Sequence, residues 1–301
     1  MPGNSANGNE SMNYKKNMHQ FVLVYSLKTS DPAYLYSFYA SRRFFEEAQQ
    51  VAINFSMCLA HEFVPENYVP EHTVLIMRGD FSGMYLTELS EKGFTIINAP
   101  EAHELCLDKY KTAAWFLRNA WPHPKTEIYS ADNLFFPCIL KPRYGKMGAG
   151  IFLLENPESI TPLIEKALTN KEYLIQEYVT ASFGRDIRFF FANFTEPYAI
   201  HYSDTVSAVC VMRKGTGLLS NTHQGGTMSL WNPPQSLAEL AGKIFTASGL
   251  TYGTVDFLFV DEARDQFSVC ELNSMPGFEA LEQLCGCNAA RAILSSCMQL
   301  V

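Results

Sequence analysis

The stretch from Gly253 to Glu279, GTVDFLFVDEARDQFSVCELNSMPGFE, limits what this chain can fold into more than any other. It reads as two β-strands rich in Val and Phe, joined by a polar connection. Asp256 lies inside the first strand, and Glu271 and Asn273 lie in the second. Side chains two apart on a strand share a face. Glu271 and Asn273 therefore project together, and pairing the strands would set Asp256 beside them. Three oxygen donors on one sheet face suit magnesium, which takes carboxylate oxygens together with substrate phosphates. The same pattern also describes a buried, hydrogen-bonded acid beside an edge-strand charge, so the choice falls to the rest of the chain.

Length gives room for about two domains in 301 residues. A hydrophobic fraction of 47% and a charged fraction of 18% describe a globular protein with a large core. The net charge of −8 argues against a nucleic-acid surface, so an anionic substrate has to be met by local cations. Arg42, Arg43 and Arg78 are candidates for that task, or plain surface charges. The eight cysteines are scattered, mostly in apolar runs, with no CxxC pair. That is the usage of reduced thiols in a cytoplasmic protein, not of a disulfide framework. Cys285-Gly-Cys287 lacks a second pair to complete a zinc site. Residues 1–20 read as a disordered tail rich in Asn, Gly, Ser and Lys, without the apolar core of a signal peptide. No apolar run approaches the ~20 residues that span a membrane, so no membrane partner is expected.

Phe21–Leu27, Ile53–Phe63, Thr73–Met77 and Phe94–Ile97 read as strands, with helices over Tyr36–Val51 and Ser82–Lys92 between them. Such alternation implies an open, largely parallel α/β sheet. No GxGxxG follows the first strand, which counts against a dinucleotide fold. Glu101–Asn119 is helical and ends before Pro122 and Pro124. From Phe136 to Leu154 a strand delivers Lys141, a loop carries Gly145, Gly148 and Gly150, and a second strand leaves. This is strand–loop–strand, not a P-loop. Glycines let backbone N–H groups approach a phosphate, and a strand lysine can point at the same phosphates; a glycine hairpin is also a common structural device. Ile160–Leu168 reads as a helix and Glu172–Thr180 as a strand whose Gln176-Glu177-Tyr178-Val179 end could read an adenine edge. In the strand from Phe183 to Phe191, Asp186 and Arg188 share a face. Tyr198–Met212 is strand-like but broken at Asp204, and Arg213-Lys214 carries two cations into a loop. Ser236–Ser248 reads as a helix capped by Gly249, and Glu282–Leu300 as a last helix. A lysine and glycine loop for phosphates, a segment for a base, loop cations and three metal donors are the equipment of phosphoryl transfer from ATP.

The run from Lys109 to Ile293 resembles the ATP-grasp superfamily, and within it the RimK-type glutamate ligases. The likeness rests on CLDKYKT, PCILKPRYGKMGAGIFLLE, YLIQEYVTASFGRDIRFF, SNTHQGG, GTVDFLF and CELNSMPGFEALE. It implies an ATP-grasp fold of mixed α/β and α+β class. A pre-ATP-grasp α/β domain would cover 21–105, a central lid region 106–180, and a catalytic domain with an antiparallel sheet 181–301. ATP would lie between two antiparallel sheets. By resemblance, Lys109, Lys141, Gly145 and Gly148 contact ATP, Glu177 and Tyr178 form the hinge around adenine, and Asp186 is a second nucleotide contact. Asn221 falls beside the γ-phosphate. Asp256, Glu271 and Asn273 match magnesium ligands, with Glu271 bridging two ions and manganese as a substitute. Arg188 and Arg213 would neutralise an acyl phosphate. Two departures stand out: Leu219-Ser220-Asn221 replaces the family's Arg-Ser-Asn, and Arg213-Lys214 sits in a loop of different length. The implied activity is ATP-dependent carboxylate–amine ligation on small-molecule carboxylate and amine substrates, with a peptide or carrier protein also admitted as acceptor. Relatives of this type assemble as homo-oligomers. A carrier thiol or an internal amine as nucleophile, and a non-catalytic ATP-binding module, are the competing readings.

Overall fold

Five consecutive buried residues, Phe21 to Tyr25, put strand β1 (Gln20–Ser26) in the middle of a sheet covered on both faces. The computed structural model describes residues 19–27, 31–145, 148–169, 172–215, 217–218 and 225–301. β1 lies in a four-stranded parallel sheet with β2 (Asn54–Leu59), β3 (Thr73–Gly79) and β4 (Thr95–Ile97), in the order β2-β1-β3-β4. Leu86 and Leu89 of the helix Gly83–Glu91 cover one face. The expected helix over Tyr36–Val51 is two helices, Pro32–Ser37 and Tyr39–Gln50. The break falls at Phe38, whose extended backbone turns its ring edge-on to Tyr25 at 5.1 Å.

The helices Pro100–Leu107 and Lys109–Arg118 meet at Asp108 and lead into a second sheet. Its strands are β5 (Thr126–Ile128), β6 (Cys138–Pro142), β7 (Phe152–Leu154) and β8 (Tyr173–Glu177), all antiparallel in the order β5-β8-β6-β7. The sequence pattern gives no sign of β5, which is only three residues long and follows the prolines 122 and 124. The helix Pro162–Leu168 packs on this sheet through Ile164.

The third sheet is antiparallel throughout: β10 (Ile200–His201), β11 (Ser207–Lys214), β9 (Arg185–Ala192), β13 (Gly253–Asp261) and β14 (Gln266–Asn273), with β12 (Thr227–Leu230) on β11. Alternation assigns its two faces. One is apolar along its length: Ile187, Phe189, Phe191 and Phe257 pack on the helix Gln235–Ser248, with Phe191 stacked on Phe245 at 4.2 Å. The other changes character along the strands. Phe190, Ala192, Val209 and Val211 join the core under the parallel sheet, and Asp186, Arg188, Arg213 and Asp256 follow at the far end. The expected last helix is also two, Glu279–Cys285 and Ala289–Met298. Gly286 ends the first in a left-handed conformation (φ 68°), and the Asn288 side chain accepts from Arg291 N to start the next.

Candidate active site

Strand register assembles the site. Asp256 lies opposite Glu271 on β14 and opposite Arg188 on β9. Arg213 lies opposite Asp186, and Asn273 opposite Thr254. Residues paired across a sheet share a face, so Asp186, Arg188, Arg213, Asp256, Glu271 and Asn273 all project to one side. A bulge makes this consistent with a buried core. Val269 and Glu271 are two apart and would otherwise share a face. The register slips between Asp256 and Phe257, leaving Cys270 as the extra residue. Val269 then enters the core with Leu272, and Glu271 turns to the charged side.

The charged groups form a chain. Arg188 donates to Asp256 from Nε (2.9 Å to Oδ1) and Nη2 (2.6 Å to Oδ2). Arg213 Nη2 donates to Asp256 Oδ2 at 3.0 Å, and Arg213 holds Asp186 through Nε and Nη2, both at 2.7 Å. Asp256 is 1% exposed. Burial by itself would raise its pKa; the Arg188 and Arg213 guanidiniums outweigh that and hold it below the usual carboxylate value. Opposite them, buried Lys141 on β6 donates from Nζ to Gln176 Oε1 (3.0 Å). Burial lowers the Lys141 pKa, against the opposing pull of the Glu271 charge. Lys109 spans the two sheets. Its Nζ donates to Gly145 O at 2.6 Å and stands 3.6 Å from Glu271 Oε1.

The other expected residues fall as follows. Asn273 Oδ1 accepts from Met275 N at 2.9 Å. Glu177 is exposed at the end of β8, its N–H donating to Lys125 O (2.8 Å) and its carboxylate accepting from Lys125 N (3.3 Å). Tyr178 follows, half-buried, with its N–H donating to Pro137 O. Gly148 takes a positive φ of 73°. Asn221, with Leu219 and Ser220, lies outside the described residues. Two of the arginines offered to an acidic substrate are committed elsewhere. Arg43 sits in an ion network with Glu47 and Glu282, and buried Arg78 donates to Tyr252 Oη and Pro276 O. Arg42 is exposed beside Glu46. The sequence pattern passes over Asp108, which accepts both Nε and Nη2 of Arg143. An aspartate directly before a helical run is the available signal. The bulge has one too: Phe267, Val269 and Leu272 are core residues spaced by two and then by three.

Among the described residues no group of three or more His, Cys, Asp or Glu is arranged to hold a metal. Three of the four lone-pair positions of Asp256 already take guanidinium donors. The Glu271 side chain is 42% exposed. This donor chemistry fits a magnesium that arrives with phosphate oxygens and meets Glu271 and Asn273, rather than a resident ion.

The model of the RimK-like ATP-grasp domain family matches residues 108–297. The chain belongs to that family. Its relatives include N-acetylaspartylglutamate synthase A of Mus musculus, 23% identical over 227 residues that make up 72% of this chain and 57% of that protein. Tetrahydromethanopterin:alpha-L-glutamate ligase of Methanocaldococcus jannaschii is 27% identical over 219 residues, 68% of this chain and 71% of that protein. The chain spans about half the length of the first curated relatives it matches, 57% and 53% for two of them. Among solved structures, a RimK domain ATP-grasp protein from Sphaerobacter thermophilus superposes with a TM-score of 0.65 at 14% identity, over 92% of this chain and 99% of that one. D-alanine–D-alanine ligase from Bacillus anthracis, complexed with ATP, gives 0.65 at 12% identity, over 93% and 96%. The ATP-grasp fold expected from the motifs is the fold of this chain.

Proposed function

We propose that the protein is an ATP-dependent carboxylate–amine ligase, forming an amide through an acyl phosphate with release of ADP and phosphate. One observation carries this reading: the chain Asp186–Arg213–Asp256–Arg188, with Glu271 across from Asp256, is bridged by Lys109 to the strand and loop that carry Lys141 and Gly145. Lys109, Lys141, Arg188 and Arg213 are four cations against the three carboxylates Asp186, Asp256 and Glu271. The surplus positive charge suits a polyphosphate. An open groove of ≈ 500 Å³ beside the glycine loop does not, since Glu88, Glu91, Glu104 and Asp108 line it.

In this reading Lys109, Lys141, Gly145 and Gly148 hold ATP phosphates, and Glu177 and Tyr178 flank the adenine. Asn221 serves the γ-phosphate. Glu271 and Asn273 would hold one or two magnesium ions, or manganese, with Asp256 as the further carboxylate donor beside them. The bound metal supplies charge neutralisation on the phosphates. A substrate carboxylate oxygen attacks the γ-phosphorus, and the bond to the ADP oxygen breaks. The amine nitrogen then attacks the acyl carbon, phosphate leaves, and the amine loses a proton. Arg188 and Arg213 offset the charge on the acyl phosphate, so the protein needs no nucleophile of its own. Residues 21–105 act as the acceptor-side domain, 106–180 as the lid and 181–301 as the catalytic domain.

The names of the relatives share glutamate, which supports an amino acid as the amine. All eight cysteines are free thiols, which suits a reducing cytoplasm, and no described helix is long and apolar enough to cross a membrane. A screen of acids and amines with magnesium and ATP, reading ADP and phosphate, tests the proposal; AMP as product would refute it. The commitment of both Asp256 oxygens to arginine favours one second reading, a nucleotide-binding module without turnover. ATP binding with no ADP formed from any acid would select it.

A further inference from the structure

The loop that would cradle phosphates is held at its first residues by a carboxylate with no role in the reading above. Asp108 is 1% exposed and sits between two helices. Its Oδ1 accepts the backbone N–H groups of Tyr110 (3.0 Å) and Lys111 (3.2 Å), capping the helix that begins at Lys109. A cap needs no more than this. The same carboxylate also takes the Arg143 guanidinium in a two-bond fork, Nε to Oδ1 at 2.8 Å and Nη2 to Oδ2 at 2.6 Å, and the Tyr144 hydroxyl at 3.1 Å. Arg143 and Tyr144 lie between Lys141-Pro142 and Gly145. The helix start completes the closure: Lys109 N donates to Arg143 O (3.2 Å) and Lys109 Nζ to Gly145 O (2.6 Å). Residues 143, 144 and 145 are thus each tied to 108 or 109.

Gly148 and Gly150 take positive φ, and among the described residues 143, 144 and 145 are the ones that tie the start of this loop to the helix at Lys109. We propose that Asp108 and Arg143 are positioning residues, a clasp that sets the glycine loop against Lys109 and thereby sets the affinity for nucleotide phosphates. The fork geometry is what a carboxylate and a guanidinium do best, and a lysine at 143 could not reproduce it. The proposal rests on the nucleotide reading of the loop.

The test uses Arg143→Gln, Asp108→Asn and the double variant of the full chain. Asparagine caps a helix as well as aspartate, so Asp108→Asn removes the fork and keeps the cap. Each single variant should raise the ATP KM and the dissociation constant of ATP about tenfold, the scale on which groups behind a site's direct contacts act. The double variant should be no worse than the worse single, as for two ends of one contact. Saturating ATP should restore kcat and the KM values of acid and amine should hold; Arg143→Gln should keep the wild-type circular dichroism spectrum, with a lower thermal midpoint because buried Asp108 loses a partner. Arg143→Lys should recover only part of the loss. An unchanged ATP dissociation constant in Arg143→Gln overturns the clasp, as does a loss confined to kcat or a double variant in which the two effects multiply. Wild-type protein that binds ATP but makes no ADP would sink the ligase reading and leave the clasp standing or falling on the dissociation constants. Wild-type protein that does not bind ATP overturns both.

Discussion

Asp256 and Glu271 face each other across two strands and stand in opposite physical situations. Asp256 is almost wholly buried and holds two guanidiniums; Glu271 is partly exposed, with the Lys109 ammonium 3.6 Å from its Oε1. Removing the charge of Asp256 leaves Arg188 and Arg213 without their shared partner in a desolvated place. Asp256→Asn should therefore cost about 3 kcal/mol of stability, the low end for breaking a buried pair, measured by denaturant unfolding. Its pH dependence has a definite sign. A carboxyl whose folded pKa is depressed stabilises fully above its unfolded value, ordinarily 3.8. That contribution is lost as pH falls through the lowered folded value. Wild type should therefore lose stability as pH falls from the unfolded value through the lowered folded one, and Asp256→Asn should show a shallower acid slope. Glu271→Ala should leave unfolding within about 0.5 kcal/mol of wild type, since an exposed and distant ion pair contributes little. The same change should abolish metal-dependent ADP release; near-normal turnover would remove Glu271 from the site. That Glu271 and Asn273 share a face was legible because period two is a local property; that Asp256 stands beside Glu271 needed the strand pairing. The arginines on Asp256 were not legible, because they come from β9 and β11, far away in the chain.

At the scale of elements, the errors of sequence reading share a cause. The helices around Phe38 and Gly286 break because a ring finds Tyr25 and a glycine goes left-handed, and both lie within otherwise periodic runs. Strands β5 and β12 are only three and four residues long, too short for a pattern to declare itself, so only pairing to β8 and β11 makes them strands. The bulge at Cys270 turns a potential conflict into a solution, placing Val269 inside and Glu271 outside. Packing of the helix Gln235–Ser248 on the third sheet is equally exacting. A Cβ at Gly242 would meet Cε1 and Cδ1 of Tyr202. That ring is fixed by its hydroxyl on Ala238 O (2.9 Å) and packs against Phe191. Gly242→Ala should cost about 1–3 kcal/mol by overpacking, seen as a lower thermal midpoint, with the ATP KM unchanged. A neutral result would mean the ring swings away freely.

Across the whole molecule, the parallel sheet and the charged sheet share one core. Leu23 and Ile76 of the first, Val209 and Val211 of the third, and Ile293 of the last helix belong to a single buried cluster. An ion network at its rim fastens the helix Tyr39–Gln50 to the C-terminal helices. Arg43 donates to Glu282 (2.9 Å) and Glu47 (2.9 Å), and Arg291 Nε donates to Glu47 (2.7 Å). The Glu47 side chain is 3% exposed. Burial would raise its pKa; Asn288, Arg43 and Arg291 hold it below the usual value. Arg43→Ala leaves both carboxylates short of a partner and should lower stability by about 2–3 kcal/mol in chemical denaturation. The loss should be greatest above the ordinary carboxylate pKa, where the pair is ionised, and should shrink as pH falls through the depressed value. A loss independent of pH would indicate that Arg43 contributes by packing alone.

By itself the sequence determined the alternating strands, the polar positions on β9, β13 and β14, the glycine loop and the family. The family is legible in motifs that resemble it; the rest is written in spacing along a few neighbouring residues, which the pleat and the backbone's φ preferences convert directly into geometry. The tertiary structure decided which cation answers which carboxylate. It paired Asp256 with Arg188 and Arg213, gave Arg43 and Arg78 to the packing of the molecule, and turned Asp108 toward Arg143. Those choices depend on strand order, register and a shared core that join residues dozens to hundreds of positions apart. No local pattern encodes them, because a buried charge takes the partner that folding brings within hydrogen-bond distance.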